Sequence, residues 1–229
     1  MKRSTQALLL AAGWRAAPAV ALASGRFAGR LGYATRVDGG SVALTFDDGP
    51  HPEGTAAILA TLDELQVPAT FFLCGEQVAN YPDVAREIAG RGHAVGVHGY
   101  RHVLLTLRGQ AATSRDLWRA CAEIERATGI APRLYRPPYG VATPAALRAA
   151  RRLGLRPVLW SRWGRDWERR ATAASVAAQA TRNLRGGDVL LLHDADHYSA
   201  AGSWAVTAAA LPRIVETVRA QSLMFVPLR

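Results

Sequence analysis

Side chains able to move protons or hold a metal ion recur in this chain just beyond short apolar runs. Asp47 and Asp48 leave the run Val42 to Phe46 directly into Gly49-Pro50, a turn pair that can swing both carboxylates into a cleft. Two like charges so close need a cation or a shared proton, and the competing reading is an Asx turn or a helix cap at Asp48. His98 and His102 have the i, i+4 spacing that stacks two imidazoles on one face of a helical turn, near enough to share one ion. With one carboxylate they make a two-histidine, one-carboxylate set, which suits zinc, iron or cobalt and leaves positions open for water and substrate. Alone, such a histidine pair is more often two surface residues.

Arg136-Pro137-Pro138-Tyr139-Gly140 reads as a stiff loop. Its prolines restrict φ and remove two donors, which leaves the Tyr139 and Gly140 backbone N–H groups to point at a ligand, where one could stabilise an oxyanion. A rigid turn with Arg136 in solvent is the plainer alternative. His193 ends the most hydrophobic run, Val189 to Leu192, where a buried imidazole must find a partner or act as an acid or base, and Asp166 is the candidate partner. A lone histidine of this kind is usually a satisfied core residue.

The elements that must position these groups follow from the hydrophobic pattern. From Ser41 onward, short apolar runs alternate with segments of helical period, which predicts an α/β fold with a parallel sheet. The predicted strands are Val42 to Phe46, Ala69 to Leu73, Ala94 to Val97, Leu134 to Tyr135, Pro157 to Trp160, Val189 to Leu192 and Met224 to Val226. Pro82-Asp83 and Thr143-Pro144 open helices, and Gly90 or Gly92, Gly129, Gly154 and Gly186-Gly187 close them. Each polar cluster then lies at a strand's carboxyl end, the edge where parallel α/β folds bind ligands.

Taken in order, "TFDDGP" at Thr45 to Pro50, "HGYRH" at His98 to His102, "RPPYG" at Arg136 to Gly140, "RDW" at Arg165 to Trp167 and "LLLHD" at Leu190 to Asp194 resemble the five motifs of polysaccharide deacetylases. This is the NodB-homology group, carbohydrate esterase family 4, and the resemblance spans Ser41 to Arg229. It implies an α/β fold, a distorted (β/α)7 barrel, that removes acetyl groups from an amino-sugar-containing carbohydrate with one divalent metal ion, zinc first and cobalt, nickel or iron as alternatives. Residues 1–40 are then an N-terminal segment, a weak signal or surface helix, and 41–229 the catalytic domain.

By motif position the resemblance implies that Asp48, His98 and His102 hold the metal and that Asp47 is the base for metal-bound water. The Tyr139 N–H would face the oxyanion, and His193 would protonate the leaving amine. Arg136 would keep Asp47 ionised and oriented, and Asp166 would keep His193 protonated and aimed. Pro138, Trp167 and Leu191 would contact substrate, the last two walling a pocket for the acetyl methyl. Three departures from the pattern stand out. Gly99 replaces the usual Ser or Thr, which puts the rigidity of that loop in doubt, and Trp163 replaces an Asp, exchanging a charge for a flat aromatic wall. Beyond the fifth motif, Asp194-Ala195-Asp196-His197-Tyr198 is read as a hydrophilic loop in preference to a substrate rim. His51 and Glu53 lie near the entrance, with Glu53 capping the next helix.

Composition bounds the remaining classes. At 229 residues, 49% hydrophobic and 20% charged, with two cysteines, the chain is neither collagen-like, nor disulfide-framed, nor wholly disordered. The net charge is +10 and only Lys2 is a lysine, but Arg115, Arg119, Arg126, Arg148, Arg151 and Arg152 scatter along helix faces without a reading module, which excludes nucleic acid as the expected partner. The first residues, with Lys2 and Arg3 before apolar Ala7 to Trp14 and with Ala21-Leu22-Ala23 after, make half an export signal, interrupted by Arg15. Export to the cell envelope and retention in the cytoplasm stand evenly balanced, with membrane or cell-wall contact through the basic N-terminal segment compatible with the former. The expected partner is an acetylated carbohydrate, and the expected state is a monomer. Competing functions are an O-acetyl carbohydrate esterase, a non-catalytic sugar binder using Trp160, Trp163, Trp167 and Trp204, and a basic surface adaptor.

Overall fold

The computed structural model describes residues 32–229. The export-like segment of the sequence reading therefore lies outside the described residues. In chain order the elements are β1 (Ser41–Asp47), α1 (Gly54–Leu65), β2 (Thr70–Cys74), α2 (Gly75–Asn80), α3 (Pro82–Gly90), β3 (Ala94–Gly99), α4 (Gln110–Thr128), β4 (Leu134–Tyr135), α5 (Pro144–Arg152), β5 (Arg156–Pro157), β6 (Arg162–Trp163), α6 (Ala173–Thr181), β7 (Val189–His193), α7 (Ser203–Ala220) and β8 (Met224–Phe225). The strands run β5-β4-β3-β2-β1-β7-β6, with β8 beside the start of β1, and every pairing is parallel. The sheet curls into a half-barrel wrapped by helices, the distorted barrel that the sequence implies.

The central strands read as continuous apolar runs because helices cover the sheet and leave no solvated face. From Val42 onward β1 is buried throughout, as are β2 and the first four residues of β7. Each fully buried Leu, Val or Phe stabilises the fold by about 1.5–3 kcal/mol relative to exposure. Phe46 and Phe71, paired across β1 and β2, stack with ring centroids 5.0 Å apart. The chemistry-bearing residues thus start from a rigid base. Helix punctuation follows the sequence: Thr143 accepts a hydrogen bond from the Ala146 N–H at the start of α5, with Pro144 at its first position, and Gly129 closes α4 in the left-handed conformation.

One predicted strand divides. Pro157 to Trp160 reads as a single run, but β5 stops at Pro157 and a separate β6 begins at Arg162. The intervening residues serve both edges of the curl: the Leu159 N–H donates to the Ala34 carbonyl, and the Ser161 N–H donates to the Val189 carbonyl. Residues 33–37 span the gap between those edges, Ala34 bridging Val158 and Arg36 bridging Asp188. Buried Asp188 ties this closure by accepting from Arg36, from Arg162 and from the Ser161 hydroxyl at 2.9, 3.1 and 2.8 Å. Met224 to Val226, also predicted as a strand, pairs over two residues only.

Candidate active site

The carboxyl ends of β1, β3 and β7 bring Asp47, Asp48, His98 and His193 to one mouth. β1 ends at Asp47, and both carboxylates approach His98 Nε2, Asp47 Oδ2 at 3.9 Å and Asp48 Oδ1 at 3.3 Å. The Asp47 Oδ1 accepts from Arg136 Nη1 at 2.7 Å, and the same nitrogen donates to the Thr45 hydroxyl at 2.8 Å. Arg136 is fully buried, its guanidinium 4.0 Å above the Phe72 ring. The turn reading that leaves Arg136 in solvent is therefore excluded. Asp48 takes a left-handed backbone, φ 81°, which aspartate tolerates better than most residues. That geometry brings its carboxylate onto the two histidines.

The His98 Nε2 lies 3.3 Å and the His102 Nε2 3.4 Å from Asp48 Oδ1. His98 and His102 do not share a helical turn as their spacing predicts. His98 belongs to β3 and His102 to the loop beyond it, and the loop folds back until the ring centroids are 5.2 Å apart. The residues present fit a cation. His98 Nδ1 sits 2.9 Å from the Arg136 carbonyl, which can only accept, so the proton belongs on Nδ1 and the Nε2 lone pair faces Asp48. Burial, aided by the neighbouring His98, pushes His102 down to about 4, so that the His102 ring is neutral near pH 7. Buried Asp48 Oδ1, with no hydrogen-bond donor among the described residues, completes three lone-pair donors converging on one point.

Across the mouth, Asp166 is fully buried and aims His193. Its Oδ2 accepts from the His193 backbone N–H at 2.6 Å and from the Thr207 hydroxyl at 2.8 Å, and its Oδ1 lies 3.0 Å from His193 Nδ1. The ring therefore presents Nε2 to the mouth, 4.0 Å from Asp48 Oδ2. Burial alone would lower the His193 pKa. The charge and hydrogen bond of Asp166, followed by the charges of Asp48 and Asp47, outweigh it and raise the imidazole to about 10. A group so poised is an imidazolium at neutral pH, able to give up a proton from Nε2.

Between these arms lies a cavity of about 310 Å³ walled by Tyr139, Trp160, Trp163, Trp167, Leu191 and Tyr198. Trp163, 41% exposed, replaces the family's Asp with a ring edge-on to Trp167 at 5.8 Å, and Trp167 stands edge-on to His193 at 5.3 Å. Leu191 and Trp167 both line this cavity. Pro138 is buried behind the loop and does not line the cavity, and Trp204 lies against His51, with ring centroids 6.2 Å apart, outside it. The Gly140 N–H, read as free for a ligand, donates to the Pro137 carbonyl at 3.0 Å. Tyr139, at φ 59°, donates to no backbone carbonyl among the described residues.

Two further readings change. The cluster after the fifth motif is not a bystander loop: Tyr198 and Ser199 line the cavity. Glu53 makes no side-chain cap on α1; instead the His51 Nδ1 accepts from the Glu53 and Gly54 N–H groups. His51, Asp196 and His197 form a second group of potential ligands. Two N–H groups occupy the His51 Nδ1 lone pair, so its Nε2, 3.4 Å from Asp196 Oδ1, is the protonated ring nitrogen, and His197 Nε2 lies 3.3 Å from the Pro50 carbonyl. Thr207 and Tyr198 carry no motif signal; each reaches the site from an element whose position only the tertiary fold sets.

Paired carboxylates, convergent imidazoles and an imidazolium around a small aromatic cavity are groups able to hydrolyse an acyl bond. A family model described as polysaccharide deacetylase matches residues 34–158, and the Asp166 and His193 arms lie beyond it. The chain is 34% identical over 207 residues to the chitooligosaccharide deacetylase of Azorhizobium caulinodans, covering 86% of this chain and 98% of that protein. Its fold superposes on the Bc1960 peptidoglycan N-acetylglucosamine deacetylase with a TM-score of 0.82 and 30% identity, over 90% of this chain and 94% of that one. The family 4 carbohydrate esterase from Streptomyces lividans, in complex with acetate, gives a TM-score of 0.73 at 33% identity, over 81% and 91% of the two chains. This chain belongs to the polysaccharide deacetylase family.

Proposed function

We propose that the protein removes N-acetyl groups from short oligosaccharides containing N-acetylglucosamine, with one divalent ion, zinc in the first instance, held by Asp48, His98 and His102. The observation that carries this reading is the meeting of three convergent lone-pair donors with the Asp47–Arg136 and His193–Asp166 pairs around one cavity. Two of the relatives named above are a chitooligosaccharide deacetylase and a peptidoglycan N-acetylglucosamine deacetylase, and the first is matched over 98% of its length. A cavity of about 310 Å³ holds an acetamido group and little more than one sugar, which favours small substrates over a deeply threaded polymer.

A cation bound there supplies Lewis acidity and lowers the pKa of water. Asp47, with Oδ1 committed to Arg136, has Oδ2 free to take a proton from the attacking water. The Tyr139 N–H lies on the stiff loop facing the same space and donates to the oxygen that becomes anionic. Leu191 and Trp167 enclose the acetyl methyl and exclude bulk water. His193 then gives its Nε2 proton to the nitrogen as the C–N bond breaks, yielding acetate and a free amine, while Asp166 keeps the ring in line. Base and acid leave neighbouring strands and are held by separate partners, Asp47 by Arg136 and His193 by Asp166.

The test is acetate release from N-acetylated chitooligosaccharides, peptidoglycan fragments and O-acetylated sugars. Wild-type protein is compared with chelated protein, zinc-reloaded protein and Asp47→Asn. Release should require zinc, should favour the amide-linked substrates, and should fall by about 10²–10⁴-fold in Asp47→Asn, the span of general-base catalysis. Release confined to O-acetyl sugars would make the protein an esterase, and full activity in Asp47→Asn would remove the base from the scheme.

A further inference from the structure

The two candidate ligand histidines are oriented by different devices. Histidines that bind metals almost always donate their second ring N–H to a carboxylate, carbonyl or water, which sets tautomer and direction. His98 does so, through Nδ1 to the Arg136 carbonyl at 2.9 Å. His102 does not: its Nδ1 is buried and has no hydrogen-bond partner among the described residues. Something else must set the plane of this ring. The Tyr198 ring lies nearly parallel to it, centroids 4.4 Å apart at 15°, and the Tyr139 ring is tilted against it at 4.4 Å and 58°.

Tyr198 is itself tethered. Its hydroxyl donates to Glu76 Oε1 at 2.6 Å and accepts from Gln77 Nε2 at 3.1 Å, both at the start of α2. Tyr139 is 59% exposed on a loop, so Tyr198 is the better-held face. We infer that Tyr198 is a positioning residue for the candidate metal site, its anchored ring holding His102 toward Asp48 where a hydrogen bond would ordinarily do so. The role requires the π face first and the hydroxyl second. Stacking on a neutral imidazole in a desolvated pocket is worth about as much as one neutral hydrogen bond, enough to replace the missing partner.

The inference rests on the reading of Asp48, His98 and His102 as metal ligands, and its test is metal affinity measured without any sugar. Zinc dissociation constants are obtained by competition with a chromophoric chelator for the full chain and for Tyr198→Phe, Tyr198→Leu and Tyr198→Met, with melting curves of each chelated protein. Tyr198→Phe keeps the ring and should lose less than about tenfold, the size of one or two neutral hydrogen bonds. Tyr198→Leu and Tyr198→Met should bind zinc about 10–100-fold more weakly, the usual effect of removing a metal ligand's orienting partner, with chelated melting temperatures close to that of Tyr198→Phe. Leucine and methionine variants that bind zinc as tightly as Tyr198→Phe overturn the proposal. So does a failure of both to fold while Tyr198→Phe folds, since the ring would then serve packing alone. A wild-type chain that binds no zinc overturns the ligand reading itself, and a Tyr198-dependent affinity without acetate release overturns the proposed reaction and leaves this inference standing.

Discussion

Asp166 anchors both the backbone and the ring of His193, and it is itself held by Thr207 on α7. A carboxylate in this position acts through the imidazole without reaching the substrate, so its removal belongs on kcat. Asp166→Asn should lower kcat by about 10²-fold or more, the scale of general acid catalysis, with KM nearly unchanged. Thr207→Val, which deletes one neutral bond, should lose far less. Steady-state kinetics on a soluble N-acetylated oligosaccharide separate the two, and an Asp166→Asn enzyme altered only in KM would place Asp166 at the substrate instead. At this scale the sequence is legible where a residue type is chemically costly to bury: Asp47, Asp48, Arg136 and Asp166 are all nearly or wholly buried. Thr207 is not legible, because a threonine on a helix face is unremarkable until the fold sets it beside Asp166.

Among the elements, the loop leaving β3 shows how a departure from the family pattern is absorbed. Beside Gly99 the loop is braced by Asp116 on α4, which accepts from the Tyr100 N–H at 2.8 Å and from Arg108 at 2.6 Å. Gly99 has φ 112°, and a Cβ there would stand 3.2 Å from the Arg101 carbonyl oxygen. The doubt about loop rigidity is thus answered by a carboxylate, and the glycine has become obligatory. Restoring the family residue with Gly99→Ser should destabilise the protein by about 1–3 kcal/mol, the cost of a side chain in a sparsely populated backbone region. Thermal unfolding is the measurement. A Gly99→Ser protein as stable as wild type would show that the loop can adopt a second path. Elements of four or more buried residues, such as β1 and β7, are legible as apolar runs, whereas β6 is not: two residues, one of them exposed, carry no periodicity.

For the molecule as a whole, stability carries a pH signature from one buried carboxyl. Asp194 is fully buried between the β1 and β7 ends, its Oδ2 accepting from the Thr55 hydroxyl at 2.5 Å and its Oδ1 unpaired among the described residues. Burial raises it from its ordinary value of 3.8 to about 7. Between those values the folded chain holds a proton that the unfolded chain has released, so this group's contribution falls as pH rises from about 4 to 7 and is level above. Asp194→Asn should remove that fall, gaining about 1–4 kcal/mol on wild type between pH 5 and pH 8 in chelated protein. Urea unfolding at the two pH values tests it, and equal pH dependence in the two proteins would show that Asp194 is not the source.

The sequence by itself determined the order of the chemical groups, the parallel α/β frame that lines them up at strand ends, and the family. Each of these follows from residue type and local spacing, which survive in one dimension. Only the tertiary structure decided that His98 and His102 meet through a loop and not a helix, that the Gly140 N–H is spent on Pro137, that residues 33–37 bridge the open edges of the curl, and that Tyr198 lies on His102. These outcomes depend on contacts between residues far apart in the chain, where the strength of a contact is set by packing and desolvation that no local pattern records.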